Sequence, residues 1–474
     1  MNERRLADRF DALLTRARAQ DWVFTLAVAF VALLPRLFVA IAWAREPVWD
    51  GHYYHFGAER IAEGLGYSED VVVDGVTRSK PWSHYPVGYS ALLAVAYKLF
   101  GSGLQVAPLV NAVIGAALAV VAHRLGRHYL SENRARLAAA LVALHPGLIA
   151  YTAVVMTEPL AALLLLAAAL AWRRFDGSYK GAAASGAALG LAALVRPSSL
   201  LVLLFLPLLE RDLGVRALKR GAVCAAIALV TVLPWTVRNC VVMDGCALVS
   251  TNGGWNLAIG ALTETGRFTT LRAADGCPVV TGQVQQDRCW AEVGRRVIAR
   301  DPARYLALAP KKLSQTYDHE SFAIEYLREA NPAAWPEARR QAGRELLTLA
   351  HRGVLALAAF GAVGWAALGR RRAWLGEACA ALVALGLAGW AFASDDHPFY
   401  AIALAIPLLA VVPRPGRPAQ GPVGRYLVGL LCATTITHAV FFGDDRYHLV
   451  VTPALCLLAA AALRRPDETA PHEP

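Results

Sequence analysis

Charged residues are scarce in this 474-residue chain, at 18 %, against 56 % apolar types and a mean hydropathy of +0.40. That balance excludes a single soluble domain, whose one core could not hide so much apolar surface. No Cys/His spacing of the structural-zinc kind occurs among the eight cysteines. Residues 1–20 are polar and Arg-rich without the pattern of a cleavable signal. The N-terminus is therefore expected to stay in the cytoplasm, with the first apolar run as an anchor. What the chain does have is runs of Ala, Leu and Val about twenty residues long, enough to cross a bilayer as helix. The expectation is an all-α polytopic membrane protein.

A net charge of +11 raises the question of nucleic acid. The arginines, however, gather in short loops at alternate ends of the apolar runs, as orientation in a membrane requires. No nucleic-acid partner is expected; the basic surplus sets topology and favours anionic membrane lipid. Spans read at 22–44, 105–125, 134–152, 157–172, 181–195, 198–210, 219–237, 349–368, 373–393, 398–412, 423–441 and 446–463. With every basic loop inside, this gives about twelve crossings, both termini cytoplasmic and a cytoplasmic tail at 464–474. Residues 86–101, PVGYSALLAVAYKLFG, do not fit that count, since a crossing there would turn every later basic loop outward. They read as an interfacial helix in the outer leaflet. The alternative is thirteen spans with a cytoplasmic turn at Gly101–Gly103.

The whole chain, 1–474, then forms one membrane domain with two long outer segments, 45–104 and 238–348, acting as lids. The pair 181–195 and 198–210 meets at LVRPSS, where Pro197 breaks the helix. An arginine is costly in lipid, so Arg196 faces either a polar cavity or phosphate, or else the headgroups at a simple outward turn. Cys240, Cys246, Cys277 and Cys289 fall on the outer side, where disulfides form. Four cysteines allow three pairings, and Cys277–Cys289, closing a short loop in the lid, is the first expectation. Late in the chain DDHPFYAIALAIPLLA (395–410) is echoed by DDRYHLVVTPALCLLAA (444–460), each placing acids, a base and aromatics at the outer end of a span.

The outer face carries the groups fit for chemistry. Asp50 follows the first span, beside Trp49, His52, Tyr53 and Tyr54. Glu158 begins an apolar helix in VVMTEPLAALLLL, with Thr157 placed to cap it and Pro159 suited to its first turn. Taken singly, Asp50 reads equally as a solvated residue ending a span, and Glu158 as an acid stabilised by the helix dipole. Together they put two carboxylates at one depth on one side, able to deprotonate a hydroxyl or to hold a divalent cation against phosphate. In RSKPWSHYPVGYS (78–90), Arg78, Lys80 and His84 precede the interfacial helix. Cations at that level would offset the charge of a lipid phosphate, although Arg78 alone reads as a rim charge.

These residues carry a resemblance. Asp50 ahead of a YY…A…G.GY stretch, then YPVGYSALLAVAYKLFG, TEPLAALLLL, LVRPSS, PWTVRN and STNGGWNLAIG follow one another in order. The chain in this respect resembles the bacterial protein-mannosyltransferase-like family, glycosyltransferases of GT-C fold that use a polyprenyl-phosphate-linked sugar and are related to the lipid A aminoarabinose transferases. The resemblance covers roughly residues 22–260, and the last two spans more loosely. It implies Asp50 as the catalytic acid of the first outer loop and Glu158 as a second acid at the next outer junction. His84 falls where the lipid A relatives have Lys, and Gly51 where many relatives have a second acid, which weakens a metal-binding acid pair at 50–51.

On that reading Asp50 is the base of a single inverting displacement, and Glu158 orients the acceptor or steadies a developing positive charge. His84, Lys80, Arg196 and Arg238 are candidates for the donor phosphate. Trp49, Tyr53, Tyr54, Tyr85, Asn252 and Trp255 are candidates for the sugar and lipid pocket. The donor is a polyprenyl-phosphate sugar; the acceptor is a glycan, lipid or protein; a divalent metal cation, held by Asp50 and Glu158, stays open as a cofactor. The implied place is the bacterial inner membrane with the active site facing the periplasm. Two rival readings are a flippase of lipid-linked sugars, which needs polar groups in mid-membrane, and an O-antigen-ligase-like polymer transferase.

Overall fold

The structure is a computed structural model that describes residues 3–175, 178–210, 212, 214–278, 282–363, 371–412 and 420–462. The expected tail 464–474 and the basic positions Arg211, Arg370 and Arg414 lie outside the described residues. Helix α1 (Glu3–Ala42) leads to α2 (Asp50–Ala62), a two-stranded antiparallel hairpin β1 (Ser68–Val73) and β2 (Val76–Pro81), and α3 (Val87–Phe100). Next come α4 (Val106–Gly126), α5 (Glu132–Leu144), α6 (Pro146–Ala150), α7 (Glu158–Arg174), α8 (Tyr179–Val195) and α9 (Val215–Val242). Residues 238–348 hold α10 (Gly253–Leu262), α11 (Gln283–Arg300), α12 (Pro302–Ala307), α13 (Ala309–Tyr317) and α14 (Phe322–Ala330). The described part closes with α15 (Glu337–Val363), α16 (Arg371–Ala393), α17 (Phe399–Ala410), α18 (Pro422–Val440) and α19 (Thr452–Ala462).

Five of these helices are long and apolar enough to cross a membrane: Trp22–Ala42 within α1, then α4, α9, α15 and α18. The bent pair α5–α6, angled by 48°, adds a sixth candidate. The protein is a multi-pass membrane protein. Other expected spans fall on shorter apolar stretches of helix, Ala378–Ala393 within α16 among them, and 198–210 is not an α-helix. Pro197–Leu204 and Leu206–Leu209 are 3-10 segments, whose rise of about 2 Å per residue stretches a short apolar stretch further than an α-helix would.

The α5–α6 bend follows from sequence. Proline disfavours helical backbone in the residue before it, and His145 ahead of Pro146 is extended, at φ −61 and ψ 120. Pro146 has no N–H for the Val142 carbonyl, so the end of α5 is left short of donors. Arg36, fully buried in α1, supplies them: Nη1 donates to Ala143 O at 2.6 Å and to Ala32 O at 2.8 Å, and Nη2 to Val142 O at 3.2 Å. Gly115 on α4 leaves the room, since a Cβ there would overlap the Arg36 side chain. The spans are thus less dry than their composition implies. The mid-span charge is nevertheless engaged by carbonyls, not exposed along a path.

Helices α7, α8 and α9 pack as consecutive neighbours, α15 lies along α19, and α1 along α4. Helix α3 packs on α2, α4 and α8, so the segment 86–101 is held against the bundle.

Candidate active site

The α7–α8 connection reverses the chain and sets the first residue of α7 beside the residue that ends α8. Glu158, fully buried, pairs with Arg196 at 2.7 Å, and the same Nη1 donates to Thr157 Oγ1 at 3.1 Å. Thr157 makes no side-chain cap to α7; its hydroxyl serves Arg196 instead of the cap the sequence suggested. The guanidinium also lies 5.3 Å from the Tyr447 ring centroid.

Asp50 is the first residue of α2, where the helix dipole favours a negative charge. The turn into it is strained: Trp49 has φ 51, a left-handed value that is rare outside glycine. Asp50 Oδ1 accepts from the Tyr85 hydroxyl at 2.7 Å, and Oδ2 from Arg446 Nη1 at 2.7 Å. Burial pushes the Asp50 carboxyl up, but the Arg446 charge, the two hydrogen bonds and His84 outweigh it, so it lies below the usual carboxylate range. Asp50 is therefore ionised at neutral pH. Burial has the opposite consequence for His84: it outweighs the pull of Asp50 and holds the imidazole below its ordinary value, hence neutral. Tyr85 is raised by burial and by the Asp50 charge, so it remains a donor.

These groups open on one cavity of about 620 Å³. Of the candidates named from sequence, Asp50, Glu158, His84, Arg196, Tyr54, Tyr85, Asn252 and Trp255 line it, with Ser250, Asn256, Thr269 and Thr270 adding neutral donors and acceptors. His84 sits edge-on to Tyr85 and Trp255, with centroids 5.0 and 5.7 Å away. Tyr54 packs edge-on against Tyr85 and Tyr89.

Four other candidates stand apart from the cavity wall. Arg238 is committed to structure, donating to Tyr67 O at 2.6 Å, Trp82 O at 3.0 Å and Asn239 Oδ1 at 3.0 Å. Lys80 lies on β2 opposite Glu69, and its charge acts on Asp244. Tyr53 is half exposed and stacks on Trp82 and Tyr85. Trp49 packs against Phe322 and Tyr326. In residues 238–348 the structure joins Cys277 to Cys289 and Cys240 to Cys246.

One central residue was not singled out from sequence: Arg446, which pairs with Asp50 and lies 5.0 Å from the ring centroids of both Phe322 and Tyr447. Its Nη2 donates to the Tyr447 hydroxyl at 3.3 Å. The signal was present in the DDRYH echo at 444–448, which showed a base among acids without showing which acid it meets. A divalent metal between Asp50 and Glu158 fits poorly. Each carboxylate is already neutralised by its own guanidinium, and a dication would have to compete with both.

The cavity thus sits at the ends of apolar helices in a multi-pass membrane protein. Residues 84–237 match the family model described as dolichyl-phosphate-mannose-protein mannosyltransferase. The resemblance noted in the sequence thus holds over the stretch carrying His84, Glu158 and Arg196, while Asp50 and Arg446 lie outside it. No curated protein matches the chain by sequence. Among solved structures, the oligosaccharyltransferase of Archaeoglobus fulgidus aligns over 93 % of this chain and 49 % of its own, at 14 % identity and a TM-score of 0.46. This chain therefore spans about half of that protein's length. ArnT from Cupriavidus metallidurans, solved with undecaprenyl phosphate, aligns over 93 % and 77 % at 17 % identity and a TM-score of 0.36. The arabinosyltransferase EmbB from Mycobacterium smegmatis aligns over 86 % and 41 % at 15 % identity and a TM-score of 0.31.

Proposed function

We propose that the protein is an inverting glycosyltransferase that moves a sugar from a polyprenyl-phosphate donor to a hydroxyl acceptor at the periplasmic face of a bacterial inner membrane. The single observation that carries this reading is Asp50: an ionised carboxylate at a helix N-terminus, lining a cavity that also holds two guanidinium groups. The family match over residues 84–237 supports the lipid-phosphate donor class.

The chemistry needs a base, cations for the leaving phosphate and exclusion of water. Asp50 takes the proton of the acceptor hydroxyl as its oxygen attacks the anomeric carbon. The bond from that carbon to the phosphate oxygen breaks, and polyprenyl phosphate leaves with the electron pair. Arg196 and Arg446 face that leaving charge; among the described residues Arg196 hydrogen-bonds through Nη1 alone. Glu158 holds Arg196 in place. His84, Tyr54 and Trp255 supply walls for the sugar, and Asn252 a polar contact. In this reading Lys80 and Arg238 stay at the margin of the donor phosphate, and Trp49 and Tyr53 support the pocket from behind.

The topology that accompanies it has about twelve crossings, cytoplasmic termini and lids at 45–104 and 238–348 over one membrane domain. The carrier reading gains nothing from Arg36, whose Nη1 and Nη2 donate to backbone carbonyls. The test is incubation of the purified protein with a panel of synthetic polyprenyl-phosphate sugars and acceptor-containing membrane extract, following free polyprenyl phosphate. Release with one donor supports transfer; no release, with donor crossing proteoliposomes, supports a carrier instead.

A further inference from the structure

Apart from the cavity, a second polar cluster lies buried where three segments meet. Glu320, in the turn between α13 and α14, His351 on α15 and His448, in the turn before α19, each offer one ligand atom, and these atoms lie within 4.8 Å of one another. All three residues are fully buried.

Their hydrogen bonds fix which atoms face inward. His448 Nδ1 lies 2.7 Å from Thr316 O, and His351 Nε2 lies 2.8 Å from Tyr317 O. A carbonyl only accepts, so both ring nitrogens carry their proton there. His448 Nε2 and His351 Nδ1 are left as bare lone pairs, and neither makes a hydrogen bond. Neither do the two Glu320 oxygens, one of which stands 3.5 Å from His448 Nε2. Three acceptors thus lie within 4.8 Å of one another with no donor between them among the described residues, and the two imidazole rings stack at 26° with centroids 3.7 Å apart. A single proton could satisfy only one pair of them, and unpaired buried polar groups are costly.

A cation resolves the conflict at once. Imidazole lone pairs held by backbone carbonyls on their far side, joined by a carboxylate, are the donor set of a first-row divalent ion such as Zn²⁺. Bonds of about 2.0–2.1 Å require ligand atoms about 3.3 Å apart, and since an imidazole ligates in its ring plane, one of the two stacked rings turns out of the stack for both to reach the ion. His145 lies near this cluster. It is buried at the α5–α6 break, both its ring nitrogens lack hydrogen bonds, and it lies within the electrostatic reach of Glu320 and His448. Gly147, one turn on, leaves the space that Glu320 occupies, since a Cβ there would overlap the carboxylate.

We propose that Glu320, His351 and His448 bind a structural divalent transition metal, Zn²⁺ for preference, in the interior of the protein. The ion would staple the Tyr317–Ser321 turn and α15 to the corner that carries Arg446, two residues before His448. The site is separate from the Asp50 cavity and does not depend on the reaction assigned to it.

The test uses the full-length protein in detergent, loaded with Zn²⁺, desalted and analysed for metal by mass spectrometry. About one equivalent per chain is expected, with Glu320→Gln and His351→Phe each lowering retained zinc by about tenfold or more. A strong chelator should lower the Tm of the wild type and leave the Tm of the variants unchanged. X-ray absorption on the wild type should show nitrogen and oxygen ligands with imidazole scattering and no sulfur, which decides the matter even if a variant fails to fold. Wild type without bound zinc after loading, zinc retained in both variants, or sulfur ligation would each overturn the proposal.

Discussion

Arg446 and Asp50 are 396 residues apart in the chain, yet Arg446 Nη1 donates to Asp50 Oδ2 at 2.7 Å. The contact closes the bundle on itself, joining the turn after the first span to the turn before the last described helix. It also keeps Asp50 ionised against the cost of burial. Replacing Arg446 by Gln removes the charge that holds the carboxyl below its usual value. The acid limb of the kcat/KM–pH profile should then move to higher pH, by about one unit or more. The sign follows from a base with a depressed pKa: activity persists as pH falls until the folded pKa is crossed, and a raised pKa brings that loss earlier. An unchanged limb would show that Arg446 does not set the ionisation of the group that limits the rate.

Glu158 and Arg196 form a pair whose carboxylate is entirely buried. Leaving either charge without its partner should destabilise the protein by about 3–5 kcal/mol. In thermal unfolding, Glu158→Gln and Arg196→Met should each lower Tm, and the double variant should lie well above the sum of the two losses. Simple additivity would mean that the two side chains do not act as a pair.

Arg36 caps the carbonyls that the α5–α6 break leaves open. Arg36→Met should cost about 2 kcal/mol or more, because buried acceptors lose their donors. Gly115→Leu, which fills the space that the arginine uses, should lower Tm comparably. A harmless Arg36→Met would show that water or other groups meet those carbonyls.

Much of this was legible in the sequence, though unevenly. Asp50, His84, Glu158 and Arg196 stand out because acids and bases beside apolar runs are few, and all four line the cavity. Arg446 did not stand out: a contact across 396 residues leaves no local pattern. Arg238 looked like a phosphate ligand because its carbonyl partners at Tyr67 and Trp82 are far away in sequence. Residues 198–210 read as a helical span from sequence, since periodicity reports apolar content more surely than pitch, yet they form the 3-10 segments Pro197–Leu204 and Leu206–Leu209. Arg36 sat in plain view within the first apolar run, but its purpose depends on Pro146, more than a hundred residues on.

The Cys277–Cys289 link joins residues 12 apart in sequence, tying the connection between α10 and α11 to α11 itself. Cross-links of that size contribute about 3 kcal/mol by restricting the unfolded chain. Cys277→Ser with Cys289→Ser should therefore lower Tm, and mild reduction should do the same in the wild type while leaving the double variant unaffected. Equal responses of both proteins to reductant would place the effect at Cys240–Cys246 instead.

The account rests above all on Asp50 as the base. The most direct measurement is release of polyprenyl phosphate from a lipid-linked sugar by wild type and Asp50→Asn, with donor binding measured on the same preparations. Loss of turnover by about a hundredfold or more, with donor affinity retained, is the predicted result. Undiminished turnover by Asp50→Asn would contradict it, and the proton would have to be taken by another group in the cavity.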